Sequence, residues 1–193
     1  MTYRPTEGMG YAAPPFNADG LLPPGTYPVD FAELRASHLV TGSFGIGKTS
    51  TWDAAWRARL VDNAEVLGGE LWQIGITEIF LDGTFVEAKD RPNDIDGYFE
   101  VDVREWATRE PERKLNTLNP HKVWTWDPRA RRLDPNSLKR QLPMWHVYRV
   151  ELYPHFGQLC GITDQHGHEL PFPSAFRQQR DTYKPEGIVK IVP

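Results

Sequence analysis

Apolar residues recur along the chain with two different periods, which separate helices from strands. Trp52, Trp56, Leu60 and Leu71 belong to a series with steps of three and four residues, with charged residues between them. This spacing predicts a helix with one buried face. Between residues 94 and 103, polar and apolar residues alternate, which predicts a strand with one acidic face. Shorter elements are predicted at residues 31–36 (helix), 76–81, 146–153 and 187–192 (strands) and 158–172 (hairpin).

This mixture of elements predicts an α+β fold with a small, mainly antiparallel or mixed sheet. A length of 193 residues suits one domain. The first 28 residues contain six prolines and four glycines, and both residue types disfavour regular structure. We therefore expect an extended or disordered arm at residues 1–28 and a single domain at residues 29–193.

Composition excludes several classes of protein. The chain has 22 basic and 26 acidic residues, a net charge of −4, so it does not bind nucleic acid through bulk positive charge. One cysteine, Cys160, excludes an internal disulfide framework and a thiolate zinc cluster, and it fits a reducing cytoplasm. With no apolar run near 18 residues and no leader pattern, we expect neither a membrane span nor a signal peptide.

The distribution of charge is more informative than the total. Residues 78–103 contain eight acidic and two basic residues, whereas residues 104–140 contain ten basic and five acidic ones. An acidic segment followed by a basic one suits a cation-dependent site that handles a polyanion. Two solvated surfaces would give the same pattern.

Two carboxylates at residues 94 and 96 are the strongest candidates for chemistry. The segment begins with an apolar strand and a Gly83–Thr84 turn, continues for nine residues, and then opens the alternating strand with Asp94 and Asp96. Side chains two residues apart on a strand point the same way, so both can hold Mg²⁺. The glycine lets backbone amides approach a triphosphate closely.

A second nucleotide signal competes with this one. Residues 42–49, GSFGIGKT, satisfy the phosphate-binding pattern G-x-x-x-x-G-K-[ST], in which Lys48 and Thr49 would contact phosphate and Mg²⁺. Residues 38–41 would be the strand before it, and Asp82 would be the acid that holds the metal. The strand is short, and no series of parallel strands and helices follows, as such a nucleotide-binding sheet requires.

The chain resembles a bacterial family of nucleotidyltransferase-like proteins within the polymerase-beta-type superfamily. The resemblance lies in three ordered segments, LPPGTYPVDFAEL at residues 22–34, IFLDGTFVEAKDRPNDIDGYFEV at residues 79–101 and FRQQRDTYKPEGIVKIV at residues 176–192. Thr84 stands where serine is commoner in the superfamily, and it keeps the hydroxyl. The resemblance implies a nucleotidyltransferase-type sheet flanked by helices and a set of catalytic residues, but no particular substrate.

The implied reaction is Mg²⁺- or Mn²⁺-dependent transfer of a nucleoside monophosphate from an NTP to an RNA, a protein or a small molecule, the first two of which fit a regulatory or toxin-like role. Asp94 and Asp96 would be joined by a third carboxylate. Glu151, in an alternating segment, is favoured over Asp127, which precedes a proline. A non-catalytic nucleotide- or RNA-binding module and a P-loop NTPase remain alternatives. The residues expected to bind the nucleotide are Gly83, Thr84, Arg177, Arg180 and Lys184.

Overall fold

A five-stranded mixed sheet organises the chain in the computed structural model, which describes residues 13–42, 51–135 and 139–193. The strands in these ranges are β1 Thr26–Val29, β2 Ile79–Asp82, β3 Ile95–Glu100, β4 Arg132–Leu133, β5 Arg140–Gln141, β6 Val150–His155, β7 Leu159–Thr163, β8 Glu169–Pro171 and β9 Ile188–Ile191. The α-helices in these ranges are α1 Phe31–Ala36, α2 His38–Thr41, α3 Ala54–Gln73, α4 Val103–Ala107, α5 Glu110–Leu118, α6 Pro143–Tyr148 and α7 Phe172–Ala175.

The order of strands in the sheet is β1-β9-β2-β3-β6. Strand β9 pairs parallel with β1 and antiparallel with β2, so the last strand along the chain lies between two early ones. Strand β2 runs antiparallel to β3, and β3 runs parallel to β6. The two remaining pairs, β4–β5 and β7–β8, form small separate ribbons. This arrangement of one mixed sheet with helices around it confirms the predicted single-domain α+β fold.

The two faces of the sheet are covered by different layers. Side chains such as Leu81, Phe99 and Leu152 point toward the helices and join the main core with residues of α3. On the other face, Phe80 and Tyr98 pack with α7 and with side chains of the β7–β8 ribbon. Because residues alternate between faces along each strand, the acidic positions of β3 share this second face.

Helices α1 and α3 begin at side-chain caps. Asp30 accepts a hydrogen bond from the Glu33 amide at 2.7 Å, and the Glu33 carboxylate accepts one from the Asp30 amide at 3.0 Å, which forms a capping box for α1. Asp53 accepts from the Trp56 amide at 2.9 Å and starts the long helix α3. No helix within the described ranges combines the length and apolar character needed to cross a bilayer.

A buried arginine joins α3 to the turn that follows β2. Arg57 is fully buried, and its guanidinium donates to the carbonyls of Leu39 at 2.7 Å, Phe85 at 2.7 Å, Glu87 at 2.8 Å and Lys89 at 2.6 Å. Burial lowers the pKa of Arg57 to about 9, so the group remains charged at neutral pH. These four bonds fix residues 85–89 against the helical layer.

The prediction of an extended or disordered arm at residues 1–28 does not hold for residues 13–28, the part of that segment that the structure describes. Leu21 and Leu22 are almost fully buried, and the Leu22 amide bonds to the Val86 carbonyl at 3.1 Å. Strand β1 begins at Thr26, within the supposed arm. The prolines and glycines prevent helix formation, but the apolar residues between them still pack on the turn after β2. The domain therefore includes residues before position 29.

The predicted strand at residues 146–153 also differs from the structure. Its first part is the end of helix α6, and the strand β6 begins only at Val150. Pro143 occupies the first turn, where its missing amide costs nothing, and Met144, Trp145 and Tyr148 are buried. Arg149 then adopts a left-handed conformation, with φ 55°, which ends the helix and turns the chain into the strand.

Replacing Arg57 by Met should destabilise the protein strongly. The substitution keeps most of the apolar volume but leaves four carbonyl groups without their donor. We expect a loss of about 3 kcal/mol or more in the free energy of unfolding, measured by urea denaturation. The matched control is Arg59→Met on the exposed side of the same helix, which should change stability by less than about 0.5 kcal/mol. Equal losses in the two variants would contradict this role of Arg57.

Candidate active site

Three carboxylates lie side by side on neighbouring strands. Asp96 of β3 is in direct register with Asp82 of β2 on one side and with Glu151 of β6 on the other. Neighbouring strands are about 4.8 Å apart, and residues in register point to the same face. The strand pairing therefore places these three acids in one row at one end of the sheet.

Asp94, the other acid of the Asp-x-Asp pair, lies just before β3. Its Oδ2 accepts a hydrogen bond from the indole nitrogen of Trp145 at 2.6 Å. The Arg149 guanidinium lies over the Trp145 ring, 3.7 Å from its centroid, and also pairs with Asp134 at 3.3 Å. Helix α6 thus orients a carboxylate whose position in the sequence is 51 residues earlier.

The glycine turn after β2 packs directly on Asp96. Gly83 has a φ of +77°, and a Cβ at this position would lie 2.9 Å from Asp96 Oδ2. Residues 83–86 form a 3-10 turn in which the buried Thr84 hydroxyl has no hydrogen-bond partner among the described residues. The Gly83 backbone therefore packs against Asp96, and Thr84 follows it in the same turn.

Glu151 is almost fully buried and is held by three groups. Its Oε1 accepts from the Leu142 amide at 2.8 Å, and its Oε2 accepts from the Tyr153 hydroxyl. The Arg131 guanidinium lies 3.8 Å from Oε1 and donates to the Tyr153 hydroxyl at 3.3 Å. The ion pair of Glu151 is therefore with Arg131, while the nearby Arg149 pairs with Asp134.

Burial and like charges together determine the pKa of Asp96. Burial, followed by the charges of Asp94 and Glu151, raises the pKa of Asp96 to about 7. Arg180 and Lys139 act in the opposite direction and lower it. A cation placed among these acids would relieve their repulsion, and the two basic side chains give the site a positive rim.

A fourth buried acid, Glu186, is a close neighbour of Asp82 in the row. Asp82 and Glu186 are each about 96% buried or more, and Asp82 Oδ1 and Glu186 Oε2 have no hydrogen-bond partners among the described residues. Burial and the neighbouring Glu186 raise the pKa of Asp82 well above its ordinary value. Burial and the charge of Glu87 raise the pKa of Glu186 to about 8. Glu186 is therefore largely protonated at neutral pH.

The three basic candidates for nucleotide binding lie in different surroundings. Arg180 is exposed and close enough to Asp96 to lower its pKa. Arg177 donates to the Gly25 carbonyl at 3.1 Å and to the Thr26 hydroxyl at 2.6 Å, and Lys184 pairs with Asp19. Both of the latter bind the N-terminal segment, so only Arg180 is a neighbour of the carboxylate row.

Asp127, the alternative third acid, is not part of the row. It caps the 3-10 turn Pro128–Ala130 by accepting from the Arg129 amide at 2.9 Å, and it forms an ion pair with the Arg129 guanidinium at 2.8 Å. The proline after it favours this turn. Of the two candidates, Glu151 is the one in register with Asp96.

Most of the competing phosphate-binding pattern at residues 42–49 falls outside the described residues, which resume at Thr51. The preceding segment is described, and it differs from the expected strand. His38–Thr41 form helix α2, closed by a bond from the Gly42 amide to the His38 carbonyl at 2.9 Å. Asp82, the acid assigned to this motif, belongs to the row with Asp96.

The acids of the row have the right chemistry for a divalent cation. Carboxylate oxygens are the preferred protein ligands of Mg²⁺. Within residues 13–42, 51–135 and 139–193, no group of three or more His, Cys, Asp and Glu side chains already converges as metal ligands. Trp145 holds Asp94, and Leu142 and Tyr153 hold Glu151, so binding a cation requires these side chains to turn.

Several residues around the site carry no sequence signal. Trp145, Tyr153 and Arg131 reach the carboxylates from a helix, a strand and a loop. Glu186 lies before β9, within the segment at residues 176–192, where no spacing marks it as a site residue. Asp82 could have been found from the sequence, because it ends the predicted strand that comes just before the Asp-x-Asp strand. If these two consecutive strands are assumed to pair antiparallel, Asp82 lies beside Asp96.

The fold and the carboxylate row define a single-domain α+β protein with an acidic site at one end of a mixed sheet. Residues 14–192 match a family of unknown function (DUF6932), and the chain belongs to that family. No curated protein and no solved structure matches the chain.

Replacing Gly83 by Ala should cost stability because it strains the turn and crowds Asp96. We expect a loss of about 1–3 kcal/mol in the free energy of unfolding, measured by urea denaturation. The matched control is Gly69→Ala in α3, where a Cβ meets no atom within 4 Å. That change should stabilise the protein by about 0.5–1 kcal/mol. A neutral or stabilising effect at Gly83 would contradict the close packing on Asp96.

Replacing Glu186 by Gln should raise the melting temperature at pH 8 and have little effect at pH 5. The pKa of Glu186 is about 8 in the folded protein against 4.5 ordinarily. Its contribution to stability is therefore complete below pH 4.5 and is lost as the pH rises toward 8. The glutamine stays neutral and avoids that loss.

The control for this pH series is Glu105→Gln, which changes an exposed carboxylate of α4. Thermal unfolding followed by circular dichroism from pH 5 to 8 should show a growing difference between Glu186→Gln and the native protein. It should show no such trend for Glu105→Gln. A constant difference at all pH values would mean that Glu186 is ionised in the folded state.

Proposed function

We propose that this protein transfers a nucleoside monophosphate from an NTP to an acceptor hydroxyl, with Mg²⁺ or Mn²⁺ as the cofactor. The observation that carries the proposal is the position of Asp96, in register with Glu151, two residues after Asp94 and packed under the Gly83 turn. Paired carboxylates beside a glycine turn are what a cation-assisted reaction of a triphosphate requires.

Asp94, Asp96 and Glu151 would hold the metal, which supplies charge neutralisation for the triphosphate when bound. The backbone at Gly83 and the Thr84 hydroxyl would contact the phosphates, and the exposed Arg180 would approach them from the solvent side. Trp145 and Tyr153 act through the carboxylates they bond, so they are positioning residues.

In the proposed reaction, the acceptor oxygen forms a bond to the α-phosphorus of the NTP. The bond from that phosphorus to the oxygen bridging the β-phosphorus breaks, and pyrophosphate leaves with the electron pair. The acceptor hydroxyl loses its proton to the Glu151 carboxylate once that group has turned away from Tyr153. The acceptor is an RNA, a protein or a small molecule.

The test is an incorporation assay with α-labelled NTPs, Mg²⁺ or Mn²⁺, and total RNA or cell lysate as the source of acceptor. The native protein should label an acceptor. The variant with Asp94→Asn and Asp96→Asn should label it about 100-fold less or worse, because both changes remove charge without changing shape. Asp62→Asn removes an exposed carboxylate of α3 and should leave incorporation unchanged.

Labelling that survives the double substitution would overturn the proposal. Binding of NTP by the native protein, measured by calorimetry, without incorporation under either metal would instead support the non-catalytic binding module. Three partners already hold the Glu151 carboxylate. This feature favours the non-catalytic binding module as the second candidate function.

A further inference from the structure

An open groove lies beside helix α5, away from the carboxylate row. Its volume is about 400 Å³, and three cations, one anion and two neutral polar residues line it. This volume is close to that of small ligand sites, which are about 300–1,000 Å³. The lining residues are Arg109, Glu112, Arg113, Asn116, Thr117 and Lys122.

Two of the cations in this groove are available to a ligand. Arg109 and Lys122 are exposed and form no ion pair within the described ranges, whereas Arg113 pairs with Glu110. The neutral residue Asn116 is already used, since its side chain bonds to both the carbonyl and the amide of Trp124. Both free cations also have left-handed backbones, with φ 57° at Arg109 and 50° at Lys122.

Arginines follow the path of the chain from the groove toward Glu151. The amide of Arg109, which lines the groove, bonds to the Trp106 carbonyl at 3.0 Å, and the Trp106 ring packs on Trp126. Arg129 forms an ion pair at 2.8 Å with Asp127, the residue after Trp126, and the Arg129 side chain is 90% exposed. Arg131, two residues further along, lies 3.8 Å from the Glu151 carboxylate.

Two aromatic rings accompany this basic series. Trp106 and Trp126 are partly exposed, and their ring centroids are 4.9 Å apart. Trp126 is fixed by a bond from its indole nitrogen to the Leu152 carbonyl at 2.8 Å, and Arg109 follows closely after Trp106. Both indoles pack against the main core and keep part of their surface exposed, and aromatic rings are surfaces on which nucleobases stack.

We propose that the groove beside α5 and the arginines leading from it to Glu151 bind the sugar-phosphate backbone of a single-stranded nucleic acid. This inference rests on the proposed function, and it makes that strand the acceptor whose terminal hydroxyl reaches the carboxylate row. Free cations on a polar surface suit phosphodiesters. The groove volume of about 400 Å³ is that of a small-ligand site and suits about one nucleotide at a time.

An acidic peptide is the competing ligand for such a surface. The indoles beside the cations favour the nucleic acid, because stacking on a flat base is a contact that a run of carboxylates cannot make. The direction of the basic series favours it too, since the series ends at a site proposed to act on a phosphate ester.

The experiment measures binding of a fluorescein-labelled 15-nucleotide oligouridylate by anisotropy, in EDTA and without NTP, so that the carboxylate row is not needed. We compare Arg109→Glu and Lys122→Glu with Arg59→Glu, which makes the same charge change on the exposed face of α3. The first two should each lower affinity about tenfold or more and reduce the slope of log affinity against log salt by about one or more. Arg59→Glu should lower affinity less than about twofold.

The proposal is overturned if the native protein does not bind the oligonucleotide, or if all three variants lose affinity equally. It is also overturned if oligoglutamate of equal charge competes as well as unlabelled oligouridylate. Circular dichroism melting verifies that each variant is folded. Calorimetric titration of the native protein with ATP and Mg²⁺ distinguishes this proposal from the proposed function. If the protein binds ATP but not the oligonucleotide, the nucleotide site is intact and only the nucleic-acid proposal is overturned. If it binds the oligonucleotide but not ATP, the proposed function is overturned.

Discussion

The buried guanidinium of Arg57 is the interaction on which the geometry of the acidic site depends. One side chain satisfies carbonyl groups from α2 and from the loop after β2, and it lies 4.1 Å from the centroid of the Trp52 ring. A charged group is costly to bury, and here four carbonyl dipoles offset that cost. Because the loop carries Gly83 at its start, the helical layer indirectly sets how closely the turn approaches Asp96.

The acids of the carboxylate row lie close enough together to repel one another when they are ionised. Asp82, Asp96 and Glu151 are brought into register by strand pairing, although like charges directly opposite each other on paired strands are destabilising. The repulsion is relieved in two ways: protons are retained on the buried acids, and Arg131 pairs with Glu151. Folded proteins keep such clusters mainly where they handle cations or protons. The basic segment that follows the acidic one in the chain supplies the counter-charges at its edge.

The sequence predicts individual helices and strands of this structure well, but it predicts only some of the contacts between distant segments. Helix α3 follows from apolar residues at steps of three and four, the Asp-x-Asp strand from its alternation, and the final strand from its short apolar segment. The alternation of residues 146–148 predicts a strand, but these residues are helical. They are the end of α6, which begins at Pro143 and buries Met144 and Trp145. The motif identified Gly83, Asp94 and Asp96, and Glu151 followed from a choice between two acids. Trp145, Tyr153 and Glu186 were missed because their roles arise from contacts between distant segments, which no spacing encodes.

The position of β9 has a consequence for how the protein is made. This strand is inserted between β1 and β2, so until residues 188–191 have left the ribosome β1 lacks its partner in the sheet and β2 can pair only with β3. The helices can form earlier, but the central hydrogen bonds of the sheet are among the last to be made, and contacts between such distant segments slow folding. During synthesis, the β1 and β2 edges remain open to wrong partners. A nascent chain of this family should therefore depend on protection of these edges until its final strand arrives.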